Sequence, residues 1–343
     1  MAGVMLKVLH VGPKNFPPSH GGVEKVVYDL VQGLPAIESH VLVEWSPVTP
    51  SARVQQLPKG FLAQRRFLLN YATQHSIEII HFHKEPFIPL ALSAQLAEFP
   101  CILTLHGCAW RLPRWPLHIR ILFFLLDCAA CTLLKHVVFV GKRDRDFFSH
   151  FVRWKQLHYI PNGVDTSTPT SLAPVKPRNG WAYLGRLSPE KNILNLMAAA
   201  ETAGIDLDIY GPFDLRDTAF RNTVTSTAAR MKHVKLKGPV PFDQVNAVLR
   251  RYQVFINVSF SEGMPVSVLE AAAAGLYLVL SDIPQHRLLA MPQCTYLPPR
   301  NFSLVLPQGT LIDGQQNFGH ARACFGVERM VEAYLALYRK ATP

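Results

Sequence analysis

Val254-Phe255-Ile256-Asn257-Val258-Ser259-Phe260-Ser261-Glu262-Gly263-Met264-Pro265-Val266-Ser267-Val268-Leu269-Glu270-Ala271 holds more structural information than any other run of this chain. Residues 254–258 read as a buried strand, and a helix is expected over 265–274. Pro265 suits the first helical turn, where its missing N–H would have had no partner. Gly263 allows close approach of backbone to a ligand. A helix N-terminus at the carboxyl end of a parallel strand is an anion site. Gly263, Met264 and Pro265 are therefore candidate binding residues. Glu262 falls in the loop and Glu270 in the helix behind it, with seven residues between them. Two carboxylates beside an anion repel it unless they accept hydrogen bonds from hydroxyls, and sugars supply hydroxyls.

On either side of this run, strands and helices alternate. Strands are expected at 4–11, 40–45, 77–82, 101–105, 136–140 and 157–160, and helices at 23–34, 61–75, 86–97 and 117–134. A stretch rich in Thr, Ser and Pro (166–179) reads as a linker. Beyond it, strands are expected at 181–184, 207–210, 234–238, 254–258 and 278–281. Helices are expected at 192–203, 242–252 and 265–274, with a closing amphipathic helix at 327–340. This alternation implies α/β architecture with two parallel, doubly wound sheets. The domains are expected at 1–165 and 166–326, with a cleft between them, and the helix at 327–343 returns toward the first.

The bulk numbers agree with two domains. The chain has 343 residues, 49% of them hydrophobic and 17% charged, which permits large cores and excludes a disordered chain. A net charge of +11 favours anionic partners without choosing among them. Most of the six cysteines sit in apolar runs, as reduced interior thiols do, and the Cys128/Cys131 pair lacks a second ligand pair nearby. The N-terminal apolar run is cut short by Gly12-Pro13 and reads as a strand rather than a signal peptide. The apolar stretch 117–134 contains Arg120 and Asp127, which argues against a membrane span. Those charges are seven apart on one helical face, which suits a buried helix.

The form Glu262-Gly263-Met264-Pro265, followed by Leu269-Glu270-Ala271 and Gly275, resembles the Glu-x7-Glu motif of retaining glycosyltransferases with two Rossmann-like domains, the large family 4 or group 1. Other segments follow in that family's order. Gly21-Gly22-Val23-Glu24 resembles its N-terminal glycine loop, and Thr104-Leu105-His106-Gly107 its strand-end histidine. Tyr183-Leu184-Gly185-Arg186-Leu187 with Glu190-Lys191-Asn192 resembles its G-R-L-x-x-x-K segment. Asn162-Gly163-Val164-Asp165 and Ser281-Asp282-Ile283-Pro284 fall in place as well, so the resemblance spans about residues 6–290, and 292–325 match nothing.

The resemblance implies a GT-B fold and transfer of a hexose from GDP-mannose or a UDP-hexose, with retention of configuration. The acceptor it implies is a glycan or a lipid-linked molecule of polysaccharide or glycolipid biosynthesis. His106 and Glu262 would contact the donor sugar. Glu270 would hold the ribose hydroxyls, and Gly22, Arg186, Lys191 and the 263–265 turn would serve the diphosphate. A leaving diphosphate develops negative charge, which two cations after a buried strand neutralise. In the family picture the acceptor hydroxyl attacks on the front side and the departing phosphate takes its proton, so no metal or cofactor is required.

Residues 110–120 interleave Trp, Arg and His beside His106, a composition suited either to an anionic membrane surface or to a loop and helix start packed on the core. A cytoplasmic protein peripheral to the inner face of the membrane is expected. A dinucleotide-dependent oxidoreductase is a rival of the same architecture, but Gly12-Pro13-Lys14-Asn15 after the first strand lacks the G-x-G-x-x-G it needs. A nucleic-acid-binding protein would cluster its cations, and here they are dispersed. Two more rivals share the architecture: a non-catalytic nucleotide-binding protein, and a phosphorylase or hydrolase.

Overall fold

The computed structural model describes residues 5–18, 21–45, 51–112, 115–152, 156–167, 180–214, 217–305 and 314–342. Most of the expected linker, and Arg114 of the aromatic and basic stretch, lie outside them. The chain divides into two compact units, Met1–Gly163 with Val327–Pro343, and Val164–Gly326.

The first unit is built on β1 (Leu6–Val11), β2 (Ile37–Val43), β3 (Val54–Gln56), β4 (Ile79–His83), β5 (Cys101–Leu105), β6 (His136–Phe139) and β7 (Leu157–Tyr159). Its seven-stranded sheet runs β3-β2-β1-β4-β5-β6-β7, and every pairing is parallel. Helices α1 (Gly22–Gly33), α2 (Phe61–Gln74), α3 (Ile88–Leu96), α4 (Leu117–Leu133) and α5 (Lys142–Ser149) connect the strands. The short strand β3 and helix α5 have too little hydrophobic patterning to be seen in the sequence.

The second unit repeats the plan with β8 (Trp181–Leu184), β9 (Leu207–Tyr210), β10 (Val234–Gly238), β11 (Val254–Asn257), β12 (Tyr277–Ser281) and β13 (Cys294–Leu297). The order is β10-β9-β8-β11-β12-β13, again parallel throughout. Its helices are α6 (Ile193–Ala203), α7 (Thr218–Ala228), α8 (Val245–Leu249), α9 (Val266–Ala273), α10 (Pro284–Arg287) and α11 (Gln315–Phe325). The region 292–325, unmatched in the sequence, supplies the edge strand β13 and helix α11. Asn317 ties α11 down: its Nδ2 donates to the carbonyls of Leu276 and Gln293, and its Oδ1 accepts from the Gln293 N–H.

Buried strands carry near-continuous apolar runs because both faces are covered. In the first unit Leu9, Val11, Ile80, Phe82 and Leu103 face one layer. Val8, Ile79, Ile102 and Val138 face the other, where α1 and α12 (Val327–Ala341) pack. Met330, Val331, Tyr334, Leu337 and Tyr338 are the buried side of α12, so the end of the chain completes the core of the first unit.

In each unit the strand order reverses beside the first strand, between β1 and β4 and between β8 and β11. Connections leave to opposite faces there, and a crevice opens at the carboxyl ends of those strands.

Candidate functional site

In the second unit, the loop after β8 carries Arg186 and Lys191, and the loop after β11 carries Glu262 and Gly263. The sheet order therefore brings two segments 71 residues apart to one reversal point. Lys191 Nζ lies 2.6 Å from both Glu262 oxygens, and Asn257 Nδ2 donates to Glu262 Oε1 at 3.2 Å. Burial alone raises the Glu262 carboxyl, but the Lys191 ammonium overturns this and holds it below the usual carboxylate range. The Phe260 N–H donates to the Glu190 carbonyl and locks the two loops together.

Asn192 starts α6 in a left-handed conformation, with φ of 61°. Its side-chain amide donates to the Val258 and Pro299 carbonyls, which anchors the backbone next to Lys191. Arg186 is exposed and sits 3.8 Å from Glu190, a loose pair. Pro265 is the cap residue, one position before the helical turn expected for it, and α9 begins at Val266. Met264 and Pro265 are buried, Gly263 is half-buried, and Glu270 is half-buried on α9. Gly263 is not among the left-handed glycines, so its backbone does not demand glycine and its reading rests on close approach alone.

Sequence reasoning missed Asn257 and His286 in this cluster. His286 is buried, and its Nδ1 lies 2.9 Å from the Ser281 carbonyl and 3.1 Å from Ser281 Oγ. Ser281 Oγ in turn donates to the Ser259 carbonyl, and Asn257 Oδ1 accepts from the Ser259 N–H and hydroxyl. Desolvation lowers the His286 pKa, against the pull of the Glu262 carboxylate. A buried Asn at a strand end is the one signal the sequence offered.

In the first unit, Gly22 is the exposed first residue of α1, and Gly21 caps it at φ of 111°. A Cβ on Gly21 would collide with the Glu24 carboxylate. Glu24 is buried, accepts from the Lys14 N–H at 3.1 Å and lies 3.3 Å from Lys84 Nζ. Burial works to raise its carboxyl, and Lys84 and the Lys14 N–H hold it low instead. Lys84 follows β4 with φ of 110°, a costly conformation for a residue with a Cβ. His106, just after β5, is half-buried. Desolvation, with help from Lys84 and against Glu24, lowers its pKa to about 4. Glu24 and Lys84 are residues the sequence reading did not place in the site.

The structure also revises the stretch at 110–120. Arg111 is not a free surface cation: its Nε lies 3.2 Å from Asp144 Oδ1, and its guanidinium stacks 4.5 Å from the Trp110 ring. Arg120 Nε donates to the Trp110 carbonyl at 2.7 Å. Helix α4 is not buried all round either. Asp127 is enclosed, yet Leu117, Ile121, Leu122 and Leu125 are 68%, 50%, 50% and 57% exposed and form one apolar face. No helix among the described residues is long and apolar enough to cross a membrane.

The family model of glycosyltransferase family 4 matches residues 20–168, and that of glycosyl transferases group 1 matches residues 178–301. The chain is 27% identical over 303 residues to a GDP-mannose:cellobiosyl-diphosphopolyprenol alpha-mannosyltransferase of Xanthomonas oryzae pv. oryzae, covering 81% of this chain and 79% of that protein. It is 25% identical over 233 residues to an Escherichia coli UDP-Gal:alpha-D-GlcNAc-diphosphoundecaprenol alpha-1,3-galactosyltransferase, covering 60% and 58%. Among solved structures, Anabaena HepE in complex with UDP-glucose superimposes with a TM-score of 0.79 at 15% identity, covering 98% of this chain and all of that one. Sucrose-phosphate synthase from Thermosynechococcus elongatus gives 0.78, also at 15% identity and over 98% of each chain. These likenesses fix the fold.

Proposed function

The chain belongs to the family 4, group 1 glycosyltransferases, hexosyltransferases of GT-B fold that use nucleotide sugars, and from that premise we propose a retaining transfer to a lipid-linked acceptor. The donor is GDP-mannose or a UDP-hexose, and the acceptor a glycan on a lipid diphosphate in polysaccharide or glycolipid synthesis. Relatives named for GDP-mannose and for UDP-Gal both act on lipid-diphosphate glycans, which supports the acceptor class.

One observation carries the donor site: the pair Lys191–Glu262, held at 2.6 Å where the second sheet reverses. Lys191 has three N–H donors, and Glu262 occupies two directions. The ammonium and the exposed Arg186 meet the diphosphate, together with the N–H groups that open α9 after Gly263, Met264 and Pro265. Glu262, kept ionised by Lys191, accepts from hydroxyls of the donor sugar. Glu270 accepts from the ribose. In the first unit Gly22 presents its N–H at the start of α1, and neutral His106 offers a hydrogen bond to the sugar. The acceptor hydroxyl attacks on the face the diphosphate leaves, and the leaving phosphate oxygen takes its proton. The residues need no metal for this charge balance, because cations and helix N–H groups stabilise the leaving group.

The apolar face of α4 supports a peripheral association with the inner membrane surface, where a lipid-linked acceptor resides. Ile121→Glu with Leu125→Glu should abolish pelleting with anionic vesicles while the protein stays folded. Undiminished pelleting would remove the membrane role.

A thermal-shift panel of nucleotide diphosphates and nucleotide sugars without added metal tests the donor reading on wild type and Glu270→Ala. Selective stabilisation by one nucleotide sugar, weakened in the variant, is expected. A folded protein that no nucleotide sugar stabilises would sink it.

A further inference from the structure

Four histidines gather at the carboxyl ends of β1, β4 and β5. His10, His81 and His83 are buried inside the first unit, and His106 borders them. His10 and Val8, His81 and Ile79, and Thr104 and Ile102 alternate onto the same sheet face, the one covered by α12. His10 Nδ1 lies 3.2 Å from His83 Nε2, and His83 Nδ1 lies 3.4 Å from His106 Nε2. The His83 ring is clamped. His81 packs on it at 4.0 Å between centroids and His10 at 5.5 Å. His81 is itself pinned by Tyr338 Oη on Nδ1 and Thr104 Oγ1 on Nε2, and Thr104 Oγ1 lies 3.0 Å from Tyr334 Oη.

We propose that His83 is a positioning residue for His106, and that the chain His10–His83–His106 holds His106 as the neutral tautomer with its proton on Nδ1. This rests on the reading of His106 as a contact to the donor sugar.

Desolvation keeps the chain neutral: it lowers His10 to about 3, His106 to about 4, and His83 well below its usual value. A neutral imidazole has one N–H and one lone pair, so the three protons must run in one direction. Running outward, His10 donates from Nδ1 to His83, His83 donates from Nδ1 to His106 Nε2, and His106 keeps its proton on Nδ1. Running inward, His106 donates from Nε2 and His10 ends with a proton on its own Nε2. That nitrogen is buried and meets no polar protein atom among the described residues. A buried donor without an acceptor is rarer than a lone pair without a donor, so the outward order prevails. His106 then presents Nδ1–H, a donor, to an oxygen of the sugar.

The spacing of His10, His81 and His83, with ligand atoms within 4.8 Å, would also admit a metal ion. Two features oppose that reading: both nitrogens of His81 are already engaged, and no carboxylate in the group offsets a buried divalent charge.

The test is histidine tautomer NMR on the full chain labelled with 15N-histidine, with His106 assigned by the signal lost in His106→Gln. Wild type should show His106 protonated on Nδ1 and bare on Nε2 across the range from neutral to mildly acidic pH. In His83→Phe the two tautomers should interconvert. His83→Asn, whose amide nitrogen replaces the Nδ1 donor, should restore the Nδ1–H form. With an acceptor assay in hand, kcat should fall roughly tenfold in His83→Phe and recover in His83→Asn, with the donor KM unchanged. A wild-type His106 protonated on Nε2 overturns the proposal whatever the activity. So does an unaltered His106 tautomer in folded His83→Phe, or one equivalent of metal lost on His10→Ala. If the nucleotide-sugar panel fails while the tautomer is as stated, the donor reading falls and the chain stands.

Discussion

At the scale of single residues, charge and burial decide what each side chain can do. Glu262 stays ionised against its burial chiefly because Lys191 faces it. Lys191→Met strips that buried carboxylate of its cation and leaves it the Asn257 amide and the Ser259 hydroxyl, so its pKa should rise and the second unit should lose about 3 kcal/mol. Urea unfolding at neutral pH reads the loss, and an unchanged midpoint would refute the pairing. Asp127 is the opposite case. Burial first, then Glu85 and Asp144, push it up to about 9. Its folded pKa is above its unfolded one, so the folded state holds an extra proton across that interval. Stability therefore falls as pH rises toward 9 and levels off beyond. Asp127→Asn, a neutral isostere that takes up no proton on folding, should raise stability near neutral pH and should remove that decline, as midpoints at about pH 6.5 and about pH 9.5 would reveal. Glu262 with Glu270, and Arg186 with Lys191, were legible as candidates because each pair lies within one strand-loop-helix run of fixed spacing. Glu24, Lys84, Asn257 and His286 were not, because each matters through a partner distant in sequence or through a buried contact that spacing does not encode.

At the scale of elements, the amphipathic helices divide into those that complete a core and those that present a face. Helix α12 belongs to the first kind, with Tyr334 and Tyr338 fully enclosed and Leu337 5% exposed. Leu337→Ala should destabilise the first unit by about 2–5 kcal/mol through the lost transfer energy and the cavity left behind. Tyr338→Phe strips His81 Nδ1 of its partner and should cost about 1–3 kcal/mol. A thermal melt indistinguishable from wild type for both would mean that α12 is not part of that core. Helix α4 is of the second kind. Its apolar length in the sequence reads as burial, because hydrophobicity alone does not say which face a neighbour covers. Regular strands and long helices were legible from their apolar runs. Strands β3 and β13 and helices α5, α7, α10 and α11 were not, since short edges and polar helices owe their existence to the sheet or core they dock on.

At the scale of the whole molecule, acid is the expected weakness. His10 and His106 fall to about 3 and about 4 in the folded state, His158 to about 4, and His81 and His83 lower than usual, all through desolvation first. Their folded pKa values lie below the ordinary value near 6.5, so the unfolded chain binds more protons between about 6.5 and about 4. The stability they permit is full above about pH 6.5 and is lost as pH falls toward about 4. The urea midpoint at about pH 5 should lie well below that at about pH 7.5, and a flat profile would contradict the buried, neutral histidines. The sequence by itself determined the α/β class, the doubling of the parallel-sheet plan and the Glu-x7-Glu loop, because apolar periodicity and local turn chemistry are written within some twenty residues. Only the tertiary structure decided that Lys191 meets Glu262 and that His10, His83 and His106 form one chain. It also showed that Arg111 turns inward to Asp144. Those contacts join segments tens of residues apart through strand order, and strand order is set by how whole sheets bury their faces rather than by any local run of residues.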